Sequence, residues 1–261
     1  MNSFKAGIIQ FNVKFADSDY NLNRAIEGIN SLKTLGADVA VLPEMWSCGF
    51  DNTRLDVHAS KTPYILDKLS KKASECKIII VGSLPESSGK AIFNTSYVIE
   101  KDGSFAASYR KIHLFSLTDE DKYYQAGNKA VICETSVGTI GLSICYDLRF
   151  PELGRVLALK GARVIIVSAQ WPIERIRHWN ILVKARAVEN QIFIIAANRC
   201  GKDNITEYGG SSQIIAPGGE ILSKAGKKES ILHAAIDLNE IDDLRALIPC
   251  LDERVPDAYI I

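Results

Sequence analysis

The sequence predicts an α/β fold in which strand pairs and helices build a layered sandwich. Six short apolar runs spaced along the chain read as strands, amphipathic segments between several of them read as helices, and two hairpin signatures mix antiparallel pairs into the pattern. The strand runs are AGIIQF at 6–11, DVAVLP at 38–43, KIIIVG at 77–82, TIGLSIC at 139–145, RVIIVS at 163–168 and IFIIAAN at 192–198. Their continuous apolar character fits strands that are covered on both faces or packed tightly on one.

The first helix is placed by Leu22, Ala25, Ile26, Ile29 and Leu32, whose i, i+3, i+4, i+7 spacing puts them on one face. The second is expected to start at Thr62 as N-cap with Pro63 at the first helical position, ahead of Ile65, Leu66 and Leu69. A helix from about Pro151 should follow the fourth strand. The hairpins are 94–111, turning at Asp102-Gly103, and 211–225, turning at Pro217 to Gly219. With no low-complexity linker, charge run or evident duplication, residues 1–261 read as one domain.

Composition narrows the function. Hydrophobic residues make up 47% and charged residues 24%, ordinary for a soluble globular enzyme, and 31 basic residues balance 31 acidic ones. No basic run breaks that balance, which argues against a nucleic-acid partner. The start, MNSFKAGIIQF, lacks a charged and then apolar leader, and no stretch reaches about 18 consecutive apolar residues. A cytoplasmic protein that does not enter a membrane is expected. The six cysteines (48, 76, 133, 145, 200, 250) form no C-x-x-C pair, and the four histidines (58, 113, 178, 233) never fall three or four apart, so no metal site is expected. Dinucleotide, P-loop and G-x-S-x-G signatures are absent from the sequence. The expected chemistry therefore uses side chains alone, without a cofactor.

Functional groups in α/β proteins gather where strands end. Glu44 follows DVAVLP, Lys111 closes the outgoing arm of the first hairpin, and Cys145 ends TIGLSIC immediately before the polar turn Tyr146-Asp147-Leu148-Arg149. Taken singly, these are a loop carboxylate, an edge cation and a small buried hydrophobe. Together they supply a thiol nucleophile, a base to take its proton and a cation to hold an oxyanion.

The blocks that carry these residues, VLPEMW, YRKIHLF and ICYDLRFPEL, resemble the signature blocks of the nitrilase superfamily, the carbon–nitrogen hydrolases with a Glu-Lys-Cys triad. Their order is similar too, with 67 residues from Glu44 to Lys111 and 34 from Lys111 to Cys145. Further likeness runs through AQWP, ARAVENQ and PGGEIL, so it covers nearly the whole chain and points to the omega-amidase branch. The resemblance implies an αββα sandwich that pairs through its helices into a homodimer. It also implies a second glutamate, matched by Glu120, with Asp119 and Asp121 flanking it and the register uncertain by one.

On this reading Glu44 takes the Cys145 proton, the thiolate attacks an amide carbonyl, and Lys111 with the Tyr146 N–H holds the oxyanion. Asp147 and Arg149 could brace the turn by pairing locally. Arg149 could equally bind a substrate carboxylate, as could Arg175, Arg177 or Arg199, while Phe50 and Trp171 would wall the pocket. The expected substrate is a small dicarboxylic omega-monoamide such as 2-oxoglutaramate. A deaminated-glutathione amide, a nitrile or an N-carbamoyl compound is the alternative within the superfamily. Two other readings stand beside it: a hydrolase in which His113 or His178 activates Cys145, and a thiol-redox or binding protein on the same fold.

Overall fold

The computed structural model of the chain describes residues 2–258. In chain order the elements are β1 (Ser3–Gln10), α1 (Ser18–Thr34), β2 (Val39–Val41), α2 (Leu55–Cys76), β3 (Ile79–Ser88), β4 (Ala91–Ile99), β5 (Phe105–Arg110) and the short α3 (Glu120–Tyr123). There follow β6 (Ile132–Thr135), β7 (Gly138–Ile144), α4 (Pro151–Leu159), β8 (Val164–Ala169), α5 (Ile176–Asn190) and β9 (Phe193–Asn198). The chain closes with β10 (Cys200–Lys202), β11 (Glu207–Gly209), β12 (Gln213–Ile215), β13 (Ile221–Lys224), β14 (Ser230–Asp237) and α6 (Asn239–Leu247).

Two six-stranded sheets result, ordered β14-β1-β2-β3-β4-β5 and β13-β12-β9-β8-β7-β6. Each has three parallel strands at its heart, β1, β2 and β3 in one and β7, β8 and β9 in the other, and antiparallel strands outside them. The two-residue side-chain period of a strand explains how the sheets stack. In β1, Ala6 and Ile8 point into the core between the sheets, where they join Val41, Val81, Leu142, Ile144, Ile166 and Ile195, whereas Ile9 points the other way onto α1 and α2. That outer layer buries Leu22, Ala25, Ile29 and Leu32 of α1 and Ile65, Leu69 and Ala73 of α2. On the far side α4 and α5 cover the second sheet through Leu153, Leu157, Trp179, Val183 and Ala187. The layers are therefore α, β, β, α, as expected.

Both hairpins form. The first turns over 100–104, where Gly103, at φ +90°, donates its N–H to the Glu100 carbonyl. The second turns at Gly219, φ +94°, with its N–H on the Ala216 carbonyl. One expected boundary is wrong. The second helix starts at Leu55, two turns before Thr62, and carries Pro63 in its interior. Burial of Leu55, His58 and Ala59 extends the helix past the interior proline, which lacks the N–H for one helical hydrogen bond. Thr62 does not cap it; its hydroxyl donates to the Pro85 carbonyl at 2.5 Å, tying the helix to β3.

The fold brings the ends of β2, β5, β7 and β8 to one edge of the sandwich. Lys111 is held there by backbone bonds on both sides: its N–H donates to the Asn94 carbonyl at 2.9 Å, and its carbonyl accepts from Gly127 at 2.8 Å. A Cβ at Gly127 would run into the Arg110 carbonyl, so only glycine lets the returning chain approach so closely. Gly127→Ala should therefore destabilise the protein by about 2 kcal/mol, a Tm loss of roughly 5 °C by calorimetry. An unchanged Tm would show that this approach places no constraint on the Lys111 segment.

Candidate active site

Cys145 opens a single-turn 3-10 helix, Cys145–Arg149, directly after β7. Its φ of +45° lies in the left-handed region, which costs a non-glycine residue about 1–2 kcal/mol. Such strain persists only where the surroundings fix it. Asp147 does the fixing: one carboxylate oxygen accepts the Ile144 N–H at 3.0 Å and the Tyr109 hydroxyl at 2.7 Å, and the other accepts the His113 N–H at 3.0 Å and meets His113 Nδ1 at 2.7 Å. Asp147 thus clamps the thiol-bearing turn to the end of β5. The expected local pair between Asp147 and Arg149 does not form, because Asp147 is already fully engaged by these deeper groups.

Glu44, Lys111 and Glu120 are all nearly fully buried. Lys111 Nζ donates to Glu44 Oε1 at 2.8 Å and to both Glu120 oxygens at 2.8 Å. Asn94 Nδ2 donates to Glu44 Oε1 at 2.8 Å and to Glu120 Oε1 at 3.3 Å, and the Phe115 N–H holds Glu120 Oε2 at 2.8 Å. On the remaining side, the Gln170 N–H donates to Glu44 Oε2 at 3.0 Å. Cys145 lines the same cavity as Glu44, Lys111 and Glu120, near enough for the charges of all three to act on its thiol. The register is thereby resolved: Glu120 faces inward, whereas Asp119 reaches only the pocket rim and Asp121 lies in solvent.

Burial raises the Glu44 carboxyl above its ordinary range; the Lys111 charge opposes this and the Glu120 charge reinforces it. Burial works against the Lys111 ammonium, but Glu120 and Glu44 outweigh it and hold the amine well above its usual value. Burial and the Glu44 charge together push the Cys145 thiol well above its usual value, despite Lys111. The resting arrangement is an ammonium and a neutral thiol sharing a carboxylate.

Above this group lies a cavity of about 620 Å³, a size suited to a small-molecule ligand. Tyr146, Phe50, Trp171, Arg149 and Arg175 line it. Arg149 lies over the Trp171 ring at 4.9 Å and Arg175 over Phe115 at 5.6 Å. Two other arginines are not there. Arg177 is exposed on the first turn of α5, since Ile176 and Trp179 take the inward positions of that helix. Arg199 is wholly buried, with donors bound to Gln170, Asp203 and the Val13 carbonyl. Neither His113 nor His178 lines the cavity; His113 is stacked on Phe150 at 3.6 Å and bound to Asp147. Among the described residues no group of three His, Cys, Asp or Glu side chains is placed to hold a metal ion.

Asn94, Gln170 and Tyr109 belong to this site and were not anticipated as part of it, whereas Asp147 was read as bracing the turn, with a different partner. The available signal was a polar residue inside or at the end of an apolar run, as in FNTSY and VSAQW.

Residues 5–246 match the carbon-nitrogen hydrolase family. The chain belongs to that family. As a member it is a hydrolase of carbon–nitrogen bonds. It is 38% identical to a 2-oxoglutaramate amidase of Bacillus subtilis, covering 96% of this chain and 97% of that one, and 33% identical to the omega-amidase of Homo sapiens, covering 100% and 98%. The crystal structure of a carbon-nitrogen hydrolase from Helicobacter pylori superposes with a TM-score of 0.94 at 27% identity, covering 99% of this chain and 97% of that one. Among the described residues of this carbon-nitrogen hydrolase no helix is long and apolar enough to cross a membrane.

Asp147→Ala should leave the Tyr109 hydroxyl, the His113 imidazole and the Ile144 N–H without their acceptor, a loss of about 3–5 kcal/mol in denaturant unfolding. A loss below about 1 kcal/mol would show that the clamp does not hold the turn.

Proposed function

We propose that the protein is a cysteine-dependent amidase that hydrolyses a short dicarboxylic omega-monoamide, such as 2-oxoglutaramate, to the acid and ammonia. The observation that carries this reading is the Cys145 thiol gathered beside Glu44, with Lys111 bridging Glu44 and Glu120, at the floor of a cavity that also presents two guanidinium groups. The names of the Bacillus subtilis and human relatives support the same substrate class.

The geometry supports a division of labour. Glu44 takes the thiol proton as Cys145 attacks the amide carbon. The negative charge that develops on the carbonyl oxygen is met by the Lys111 ammonium and by the N–H of Tyr146, which stands in the first turn of the 3-10 helix, where N–H groups have no partner within the helix. Glu44 returns the proton to the departing nitrogen, ammonia leaves, and a thioester remains on Cys145. Water deprotonated by the same carboxylate then releases the acid and restores the thiol. Glu120 keeps Lys111 charged and in place. No step calls for a cofactor.

Arg149 and Arg175 are the groups that could meet a distal carboxylate, and each is braced by an aromatic ring. The dimer belongs to this reading too: α4 and α5 leave Val156, Leu159, Ile181 and Val188 exposed on their outward faces, an apolar surface suited to a second copy of the chain. Six free cysteines suit a reducing compartment, in keeping with a cytoplasmic enzyme without a nucleic-acid partner.

Cys145→Ala and Glu44→Gln should each lower kcat by about three orders of magnitude or more, and the double variant should be little worse than either alone. Lys111→Ala should lose activity similarly and also stability, because two buried carboxylates would then face each other. Steady-state kinetics beside circular dichroism checks this. Activity within tenfold of wild type in Cys145→Ala would refute the thioester route.

Glutaramate should exceed butyramide in kcat/KM by well over tenfold, since a substrate without the distal carboxylate leaves a guanidinium unpaired in the pocket. A ratio of about tenfold or less, roughly 1.4 kcal/mol, would rule out a carboxylate clamp and with it the omega-amide assignment.

A further inference from the structure

Arg199 follows β9 and is completely buried, and it does not itself line the pocket. A buried guanidinium persists only where its donors are met. Both Nη groups are met here: Nη1 donates to Gln170 Oε1 at 2.8 Å and reaches Asp203 Oδ2 at 3.3 Å, Nη2 donates to the Val13 carbonyl at 2.7 Å, and the plane lies over the Tyr208 ring at 4.1 Å, while Nε is buried without a partner. Two of these partners lead towards function. Gln170 holds Glu44 twice, through its backbone N–H on Oε2 and through its side-chain Nε2 on the Glu44 carbonyl at 2.7 Å. Asp203 shapes the tip of the β10–β11 hairpin, where it accepts the N–H groups of Ile205 and Thr206 and the Tyr208 hydroxyl; residues 203–206 and Tyr208 line the cavity.

A glutamine amide has two ends of opposite character, and a guanidinium has only donors. Arg199 therefore accepts one orientation of Gln170, with the oxygen towards Arg199 and the NH₂ towards Glu44. Without Arg199 the amide is free to turn, and its oxygen would then face the Glu44 carbonyl, acceptor against acceptor. We propose that Arg199 is a positioning residue: it locks the Gln170 amide in the orientation that holds Glu44 against Cys145, and through Asp203 it ties that orientation to the hairpin at the pocket mouth. The inference rests on the reading of Glu44 as the base.

The charged and titratable groups facing Glu44 are Lys111, Glu120 and Cys145, with Tyr124 and Tyr208 further off. Of these, Tyr208 alone is affected by changing Arg199, which lies over its ring, and changing Gln170 removes no charge from the set. What changes is the bond from the Gln170 side chain to the Glu44 backbone carbonyl, which seats the Glu44 main chain against the backbone N–H of Gln170; when that seat shifts, Glu44 Oε2 loses its donor, and a carboxylate that loses a donor binds its proton more tightly. A role confined to stability would lower Tm and leave the proton affinity of Glu44 alone.

The test measures alkylation of Cys145 by iodoacetamide across pH, read by peptide mass spectrometry with the Cys250 peptide as internal reference, together with kcat and KM for glutaramate. The proteins are wild type, Arg199→Met, Arg199→Lys and Gln170→Met. Arg199→Met and Gln170→Met should each lower kcat by about tenfold or more with a smaller change in KM. Both should shift the pH midpoint of Cys145 alkylation upwards by about half a unit or more. Arg199→Lys, which keeps a donor towards Gln170, should recover part of both effects. Wild-type kcat and an unmoved midpoint in folded Arg199→Met would overturn the proposal. If that variant does not fold, the same result in Gln170→Met overturns it, because the amide is the proposed link. Should wild type hydrolyse no amide at all, the amidase reading fails, while the alkylation measurements still decide the role of Arg199.

Discussion

The architecture of the site depends on burying one ammonium between two carboxylates. Lys111 has almost no contact with solvent, and neither do Glu44 and Glu120. Removing one member of such a buried group costs about 3–5 kcal/mol, because the partners left behind keep their charge without its counterpart. The surrounding donors follow from this demand. Asn94 serves both carboxylates, Phe115 and Gln170 supply backbone N–H groups, and the oxygens are left facing each other across the ammonium and not across empty apolar space. The third group, the Cys145 thiol, lies beside a carboxylate whose oxygens already accept from Lys111, Asn94 and Gln170.

Holding these groups also requires unfavourable backbone. Cys145 and Met45, the residue after Glu44, both have positive φ. Each is held by a hydrogen bond from deeper in the fold: Asp147 grips the residue before Cys145, and the Met45 N–H donates to Ser83 Oγ at 2.9 Å. The conformations that aim the carboxylate and the thiol at each other are thus fixed by side chains on β3 and on the turn itself, outside the reacting groups.

Much of this was legible in the sequence, for identifiable reasons. Strands β1, β3, β7, β8 and β9 announce themselves because they are buried on both faces, so their runs are continuously apolar. The glycine turns of the two hairpins are local and carry their own signature. Strand β14 stayed hidden because it lies at a sheet edge and its pattern of half-exposed residues is weak. The start of α2 was misplaced because a proline that is tolerated inside a packed helix looks identical, in sequence, to one that begins it. At the site, Glu44, Lys111 and Cys145 stood out as polar residues at the ends of apolar runs. The choice between Glu120 and its acidic neighbours and the exclusion of Arg177 depend on which way a helix faces, and that of Arg199 on its burial behind Gln170 at the end of β9; spacing alone encodes neither.

The division of the site between the two sheets has a physical consequence. Glu44 and Lys111 leave strands of one sheet, while Cys145 and Gln170 leave strands of the other. The Cys145 thiol and the Glu44 carboxylate are thus joined across the seam between the sheets, through its layer of Val, Ile and Leu side chains and the few hydrogen bonds that cross it, from Gln170 to Glu44 and from Tyr109 and His113 to Asp147. Each sheet could keep its own hydrogen bonds while that layer loosened, and the thiol and carboxylate would then drift apart by as much as the sheets do. The geometry of the site is therefore a property of how closely two β-layers are pressed together, and it would register a slackening of that seam before either sheet lost its own ladder.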